Sequence, residues 1–158
     1  MRILSRIVAT TALCGALVLT GCANRPVSAG PPPTVAQTTA TQLDNLTAAT
    51  QAAQSAEIAI YSQGYIAASS HLAVQQSFLR IFQDEGALAG LLSANASAAD
   101  VKSKIDAIVA EVNGGLAAGV GGVKNAESKQ NLQTLVSSLG SLAQIVYSAY
   151  SASQSLAH

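Results

Sequence analysis

The hydrophobic residues of this chain recur at intervals of three and four positions, the spacing that places side chains on one face of an α-helix. The clearest case follows Ser97, where apolar residues recur at spacings of four, three and four: Val101, Ile105, Ile108 and Val112. The charged residues of this stretch fall between them. The pattern predicts a helix that buries one stripe and exposes its charges.

Ser97 predicts where this helix begins. Its hydroxyl can accept a backbone N–H of the first turn, and Asp100, three residues on, can reach back in a capping-box arrangement. The negative charge of Asp100 also suits the amino-terminal end of the helix dipole.

Three more helices are predicted, over residues 41–62, 65–85 and 125–155, and the second can extend to residue 92. The apolar stripe of the first consists of Leu43, Leu46, Ala53, Ile60 and Tyr61, with Asp44 and Glu57 off the stripe. The stripe of the second consists of Tyr65, Ala68, Leu72, Leu79 and Phe82, widened by Val74, Phe78 and Ile81. The last helix carries the pattern of a helix seam in Leu132, Leu135, Leu139, Leu142, Val146 and Ala149.

Glycine predicts where the helices are interrupted. Gln63-Gly64 separates the first two helices, and Asn113-Gly114-Gly115 predicts a stop after the third. Further glycines between residues 115 and 123 favour a flexible loop or a poor helix, because glycine costs about 1 kcal/mol in a helix interior. No stretch alternates with the period of a β-strand. The expected fold is therefore all-α, a small antiparallel bundle of about four helices over residues 41–158.

The first 22 residues have the build of a secretory signal. Arg2 and Arg6 precede an uncharged apolar run over residues 7–19, which is too short for a membrane span of about 20 residues. Leu19-Thr20-Gly21-Cys22 follows, and it resembles the lipobox of bacterial lipoproteins. The resemblance implies cleavage between Gly21 and Cys22, a diacylglyceryl group on the Cys22 thiol, and acylation of the new amino terminus with a fatty acid such as palmitate.

Two other interpretations of this segment stay open. An ordinary secretory signal cut elsewhere would leave Cys22 as a free thiol, and an uncleaved segment would act as an amino-terminal anchor. If the resemblance holds, residues 1–21 are the cleaved signal peptide. Ala23 stands where family members retained in the inner membrane tend to carry aspartate, which implies attachment to the outer membrane, facing the periplasm.

Residues 22–40 are rich in proline, threonine, serine and alanine, and include Pro31-Pro32-Pro33. Proline fixes φ and lacks a backbone donor, so the composition predicts an extended tether between Cys22 and the bundle.

Charge excludes several classes of partner. Without Arg2 and Arg6, the eight basic side chains fall to six, against eight acidic ones, a net charge of −2. The cleaved chain has no basic stripe for nucleic acid and no polybasic patch for anionic lipid. Cys14 lies within the signal and Cys22 carries the lipid, so no disulfide is expected in the bundle.

Catalytic patterns are weak, and the chain is predicted not to be an enzyme. His71 and His158 are the only histidines, no second histidine stands at a zinc-ligand spacing, and no Gly-x-Ser-x-Gly elbow occurs. Asp84-Glu85 is interpreted as a pair of solvated charges at a helix end. The segment over residues 119–124 lacks the Gly-Lys-Ser/Thr ending of a phosphate loop. No cofactor and no metal is expected.

Two features could serve an interaction. Gly86-x-x-x-Gly90 and Gly115-x-x-x-Gly119 allow close helix packing within the bundle, or dimerisation in lipid. Residues 130–158 carry no formal charge with histidine neutral. The last helix therefore either packs with a polar outer face or offers a partner-binding or self-associating face through Leu132, Leu135, Leu139, Leu142 and Val146.

The leading hypothesis is a lipid-anchored cell-envelope protein with a structural or protein-interaction role. The alternative is a periplasmic binding module for an apolar small molecule or lipid, held between loosely packed helices. A third hypothesis, an enzyme, depends on His71 alone.

Overall fold

A computed structural model describes residues 34–156 of the 158-residue chain. Cys22, the signal peptide, most of the tether and His158 lie outside the described residues. Four long helices make up the fold: α1 (Val35–Ser62), α2 (Ala68–Ser93), α3 (Ala98–Glu111) and α5 (Ala126–Leu156). A π-helical turn (Val112–Leu116) and the short α4 (Ala117–Gly121) lie between α3 and α5. No strand occurs within this range, and the all-α prediction is confirmed.

The four long helices form a closed ring of neighbours. α1 packs against α2 and α5, and α3 packs against the same two helices, so α1 and α3 lie on one diagonal of the bundle. Thr50 of α1 contacts Glu85 of α2, and Glu57, later in α1, contacts His71, earlier in α2. The two helices therefore run in opposite directions. Adjacent helices are therefore antiparallel, as expected from connections of a few residues.

α1 begins earlier than the sequence predicts. The Thr34 hydroxyl accepts the Gln37 backbone N–H at 3.3 Å, and the Gln37 side chain accepts the Thr34 N–H at 2.7 Å. This reciprocal capping box satisfies two donors of the first turn. Residues 35–40, which were predicted as tether, are therefore helical, and the predicted boundary at residue 41 lies inside α1.

Two other helix ends follow the prediction closely. Ser97 caps α3 by accepting the Asp100 N–H at 3.1 Å, and its hydroxyl donates to the Asp100 carboxylate at 2.7 Å. α1 ends at Ser62, just before Gly64, whose φ of +75° lies in the left-handed region that glycine tolerates. α2 begins at Ala68 rather than at residue 65 and continues to Ser93.

The predicted stop at Asn113-Gly114-Gly115 is wrong. The chain stays helical from α3 through the π-turn into α4, and the residues at both junctions have right-handed helical dihedrals. Two of these glycines lie so close to α2 that a larger residue would not fit. A Cβ at Gly115 would overlap Ser77, and one at Gly119 would overlap Val74. The helix-breaking tendency of glycine is thus outweighed by the helix contact it permits.

The core confirms two predicted stripes and corrects a third. Val101, Ile105, Ile108 and Val112 are all buried, as predicted. On α1 the four aliphatic residues of the predicted stripe are buried as well, whereas Tyr61 is exposed. On α2 the residues that were predicted only to widen the stripe, Val74, Phe78 and Ile81, form the contact with the core. Leu72 and Leu79 of the predicted stripe are exposed. The buried residues of α2 are Val74, Ser77, Phe78, Ile81, Glu85 and Leu88.

Candidate functional site

The face predicted for interaction on the last helix lies inside the bundle. Leu132, Leu139 and Val146 are each at most 1% exposed, and Leu135 and Leu142 are partly buried against the same core. The seam is thus the contribution of α5 to the hydrophobic core, which is the first of the two roles left open for this helix. Partner binding through these five positions stays a prediction. Cys22, the predicted lipid attachment site, lies outside the described residues.

His71 belongs to a cluster of five side chains that joins α1 to α2. We call Gln54, Glu57, Tyr61, His71 and Gln75 the polar cluster. His71 Nδ1 lies 2.9 Å and 3.0 Å from the two carboxylate oxygens of Glu57, to which it donates. Gln75 Nε2 donates to the same carboxylate at 2.6 Å, and Gln54 Nε2 donates to Gln75 Oε1 at 2.8 Å.

The polar cluster places a fully buried carboxylate between two helices. Glu57 is 0% exposed, although the sequence analysis set it outside the apolar stripe. The Tyr61 ring stacks on the His71 ring with centroids 3.9 Å apart and planes 3° from parallel. Burying a polar group costs free energy unless it is hydrogen-bonded, and this side chain is hydrogen-bonded to both His71 and Gln75.

A histidine held by a carboxylate through Nδ1 is the inner part of a hydrolytic triad. Catalysis of that type also needs a nucleophile within hydrogen-bond reach of Nε2. Over residues 34–156, the recorded hydrogen bonds of the His71 ring all run through Nδ1. The arrangement fixes the ring orientation and fastens α2 to α1.

A second buried carboxylate lies further along the same two helices. Glu85 is 4% exposed, and its Oε1 lies 2.6 Å from the Thr50 hydroxyl. The same hydroxyl donates to the Leu46 carbonyl oxygen at 3.0 Å, so its single proton is shared between two acceptors. Glu85 Oε2 is buried without a hydrogen-bond partner. The sequence analysis took Glu85 for a solvated charge, and the structure corrects this.

Burial raises the pKa of Glu85, and the hydroxyls of Thr50 and Thr47 oppose the increase by hydrogen bonding. The cost of a charge on a buried, unpartnered oxygen favours the neutral acid. Asp84, next in sequence, behaves differently, since Lys104 of α3 donates to it at 2.8 Å.

α2 and α3 are joined by a bidentate ion pair. Arg80 donates to Glu111 from Nε at 2.9 Å and from Nη2 at 2.7 Å. The guanidinium lowers the pKa of Glu111, and the carboxylate raises the pKa of Arg80. Gly115 and Gly119, which allow the close approach of this segment to α2, lie beside the pair. The second small-residue motif therefore serves intramolecular packing, one of its two predicted roles.

Gly86 and Gly90 have a different environment. A Cβ at either position would meet nothing within 4 Å, so this motif faces open space. The two glycines continue an exposed line of α2 residues that are spaced by three or four positions. We call this line the outer stripe: Ala68, Leu72, Gln76, Leu79, Gln83, Gly86 and Gly90. Leu72 and Leu79 are 59% and 57% exposed, more than any other large hydrophobic residue of the described chain.

A cavity of about 370 Å³ opens at one end of the bundle. The first turns of α1, the last turns of α2 and the end of α5 enclose it. Its lining is mostly apolar, with Asp44 as the one charged member, and includes Thr39, Leu43, Ala89, Leu92 and Tyr150. Tyr150 is held in place because its hydroxyl donates to the Ala96 carbonyl oxygen. The volume falls in the range of small-molecule sites, roughly 300–1,000 Å³.

Metal and membrane sites were sought in the same part of the chain. Among residues 34–156, histidine, aspartate and glutamate side chains form no group of three that could hold a metal ion. None of the helices described is long and apolar enough to cross a membrane. Comparison of the chain with protein-family models, curated proteins and solved structures gives no match.

Proposed function

We propose that this chain is a lipid-anchored cell-envelope protein that acts through protein interaction rather than catalysis. Leu19-Thr20-Gly21-Cys22, after a basic start and an apolar run, supports attachment through the Cys22 thiol, at the periplasmic face of the outer membrane. The observation that carries the interaction role is the outer stripe of α2, which exposes two leucines at more than half their surface. Large apolar side chains exposed along one face of a helix favour an interaction site there.

Mass spectrometry of the protein extracted from its native membrane tests the anchor. The expected species lacks residues 1–21 and carries two or three acyl chains at Cys22. Stable anchoring needs more than one chain, because a single chain binds only marginally. A chain that begins elsewhere, or a free thiol at Cys22, would remove the anchor from the proposal.

Photo-crosslinking in cells tests the interaction role. A photoreactive amino acid at Leu72 should give one discrete product in the envelope. The same amino acid at Ile145, which is 46% exposed on α5, is the matched control and should give none. Equal, diffuse labelling from both positions would contradict an interaction role for the outer stripe.

The cavity at the end of the bundle favours a second function, the binding of an apolar small molecule. N-phenyl-1-naphthylamine, an uncharged dye that fluoresces in apolar sites, is a suitable probe. The wild-type chain should bind it saturably, and Ala89→Phe, which fills the cavity from α2, should abolish binding. Ala87→Phe, at an exposed position outside the cavity, should leave binding unchanged. Unaltered binding in Ala89→Phe would exclude this site.

A further inference from the structure

The outer stripe is uncharged, and the charges of α2 point elsewhere. Arg80 and Asp84 bond to Glu111 and Lys104 of α3, and Glu85 is buried against α1. The stripe itself contains only leucine, glutamine, alanine and glycine. Such a surface offers nothing to attract a charged partner and nothing to repel its own copy. Charge repulsion therefore does not oppose contact between two copies of this surface.

Five positions of the stripe also map onto one another about Leu79. Leu72 and Gly86 lie seven residues on either side of Leu79, and Ala68 and Gly90 lie eleven residues on either side. If a second α2 runs antiparallel across a two-fold axis at Leu79, each Leu72 meets Gly86 of the other copy. The small Ala68 then meets the small Gly90. A large side chain opposite a glycine is the alternation that lets two helices interdigitate.

From this geometry we infer that the outer stripe binds a second copy of this chain, as an antiparallel α2–α2 pair with Leu79 on the two-fold axis. The inference rests on the proposed interaction role and names its partner. An isologous contact of this kind uses the same surface on both copies and closes at two chains. The open space above Gly86 and Gly90 gives the backbone of the second helix room to approach.

Ile58 widens the same surface from the neighbouring helix. It follows Gln54 by one turn, and Gln54 contacts Gln75 of α2. Ile58 is 47% exposed, and Tyr61, one turn further on, is 38% exposed. The second copy therefore meets an apolar border along α1 as well as the stripe itself.

Disulfide trapping tests the axis directly. Leu79→Cys in the full chain, oxidised in isolated membranes, should give a reducible band at twice the chain mass. The parent chain reports any background from Cys14 and Cys22. Ile145→Cys, at a comparably exposed position on α5, is the matched control, and both should stay monomeric. If Leu79→Cys is trapped no faster than Ile145→Cys, the inference is wrong.

A pair of cysteine substitutions tests whether the two α2 helices are antiparallel. Leu72→Cys with Gly86→Cys in one chain should crosslink two copies, whereas either change alone should not. In the antiparallel pair the two copies of position 72 are about 21 Å apart along the helix axis, at 1.5 Å per residue. A disulfide needs Cα atoms within about 7 Å. Trapping by the single changes would point to a parallel pair and overturn the proposed axis.

Gly86→Leu separates association from folding. The isolated bundle has room for the side chain, since nothing lies within 4 Å of a Cβ there. In the dimer the new side chain would collide with Leu72 of the other copy, so the Leu79→Cys band should be lost. Ala87→Leu, at the adjacent exposed position outside the stripe, should retain it. A product between this chain and a different protein would support the interaction role while overturning the second copy as partner.

Discussion

Glu57 and Glu85 occupy positions that the helical repeat assigns to apolar residues. Leu46, Thr50, Ala53, Glu57 and Ile60 are spaced by four, three, four and three, and all five are buried. Val74, Phe78, Ile81, Glu85 and Leu88 repeat the same spacing on α2. The spacing alone therefore contained the information that both glutamates are interior positions, although the sequence analysis set Glu57 off the stripe and Glu85 in solvent. Their charge argued against it. Glu57 is nevertheless buried with His71 and Gln75 as hydrogen-bond partners, and burial raises the pKa of Glu85.

The raised pKa of Glu85 predicts a pH dependence of stability. Between the ordinary carboxyl pKa and the folded value, the folded state binds more protons at Glu85 than the unfolded state does. The contribution of Glu85 to stability is therefore fully present below the ordinary carboxyl pKa. It falls as the pH rises through that interval, by at most about 1.4 kcal/mol per pH unit. Glu85→Gln, which is neutral at every pH, should remove this part of the slope.

Urea unfolding of wild type and Glu85→Gln at a series of pH values measures the difference. Thr50→Val is an informative companion, because it removes a hydroxyl that opposes the raised pKa and should extend the fall in stability to higher pH. A Glu85→Gln variant with the wild-type slope throughout the interval would show that Glu85 is ionised without cost.

Gly119 predicts a large effect from a single methyl group. A Cβ there would overlap Val74 across the contact with α2, so Gly119→Ala should destabilise the bundle by about 1–3 kcal/mol. Gly90→Ala is the matched control in open space, where alanine should stabilise the helix by roughly 0.5–1 kcal/mol. Urea midpoints at unchanged m-values measure both, and effects of the same sign would contradict the packing assigned to Gly119.

At the scale of the element, α1 and α2 are held together by the polar cluster as well as by apolar contact. His71→Ala should destabilise the bundle by about 3 kcal/mol, because it leaves the buried Glu57 carboxylate without its main partner. Adding Glu57→Gln to His71→Ala should recover part of the loss, since the uncompensated charge is then gone.

A double-mutant cycle over these two positions measures the coupling by urea unfolding. The double variant is expected to be more stable than His71→Ala alone. Additive losses of stability would show that the two side chains do not act as a pair. The hypothesis of an enzyme that depends on His71 would then be open again.

Sequence and structure agree best where burial depends on apolar side chains alone. The stripe of α3 was predicted residue by residue, and so was its start at Ser97. α2 was predicted as a helix, but with its exposed leucines turned inward, because the pattern contains two apolar stripes and tertiary packing decides which one is buried. The sequence analysis missed the continuous helix through the π-turn and α4. The helix propensity of glycine contains no information on the close contacts that Gly115 and Gly119 make with Ser77 and Val74.

At the scale of the whole molecule, attachment and association should reinforce each other. Lipid on Cys22 would confine copies to one surface and raise their local concentration, which favours the dimer by mass action. Cys22→Ala in the Leu79→Cys chain should therefore lower the trapped fraction at equal expression, and higher expression should restore it. A trapped fraction that ignores Cys22 would mean that the dimer forms without help from the membrane.

α1 starts at the end of the bundle where α2 finishes, since Ala36 and Ser93 line the same cavity. Pairing two α2 helices antiparallel therefore places the starts of the two α1 helices at opposite ends of the paired helices. The cavity beside each start lies at the same end, so a dimer would present its two cavities as far apart as the length of α2 allows.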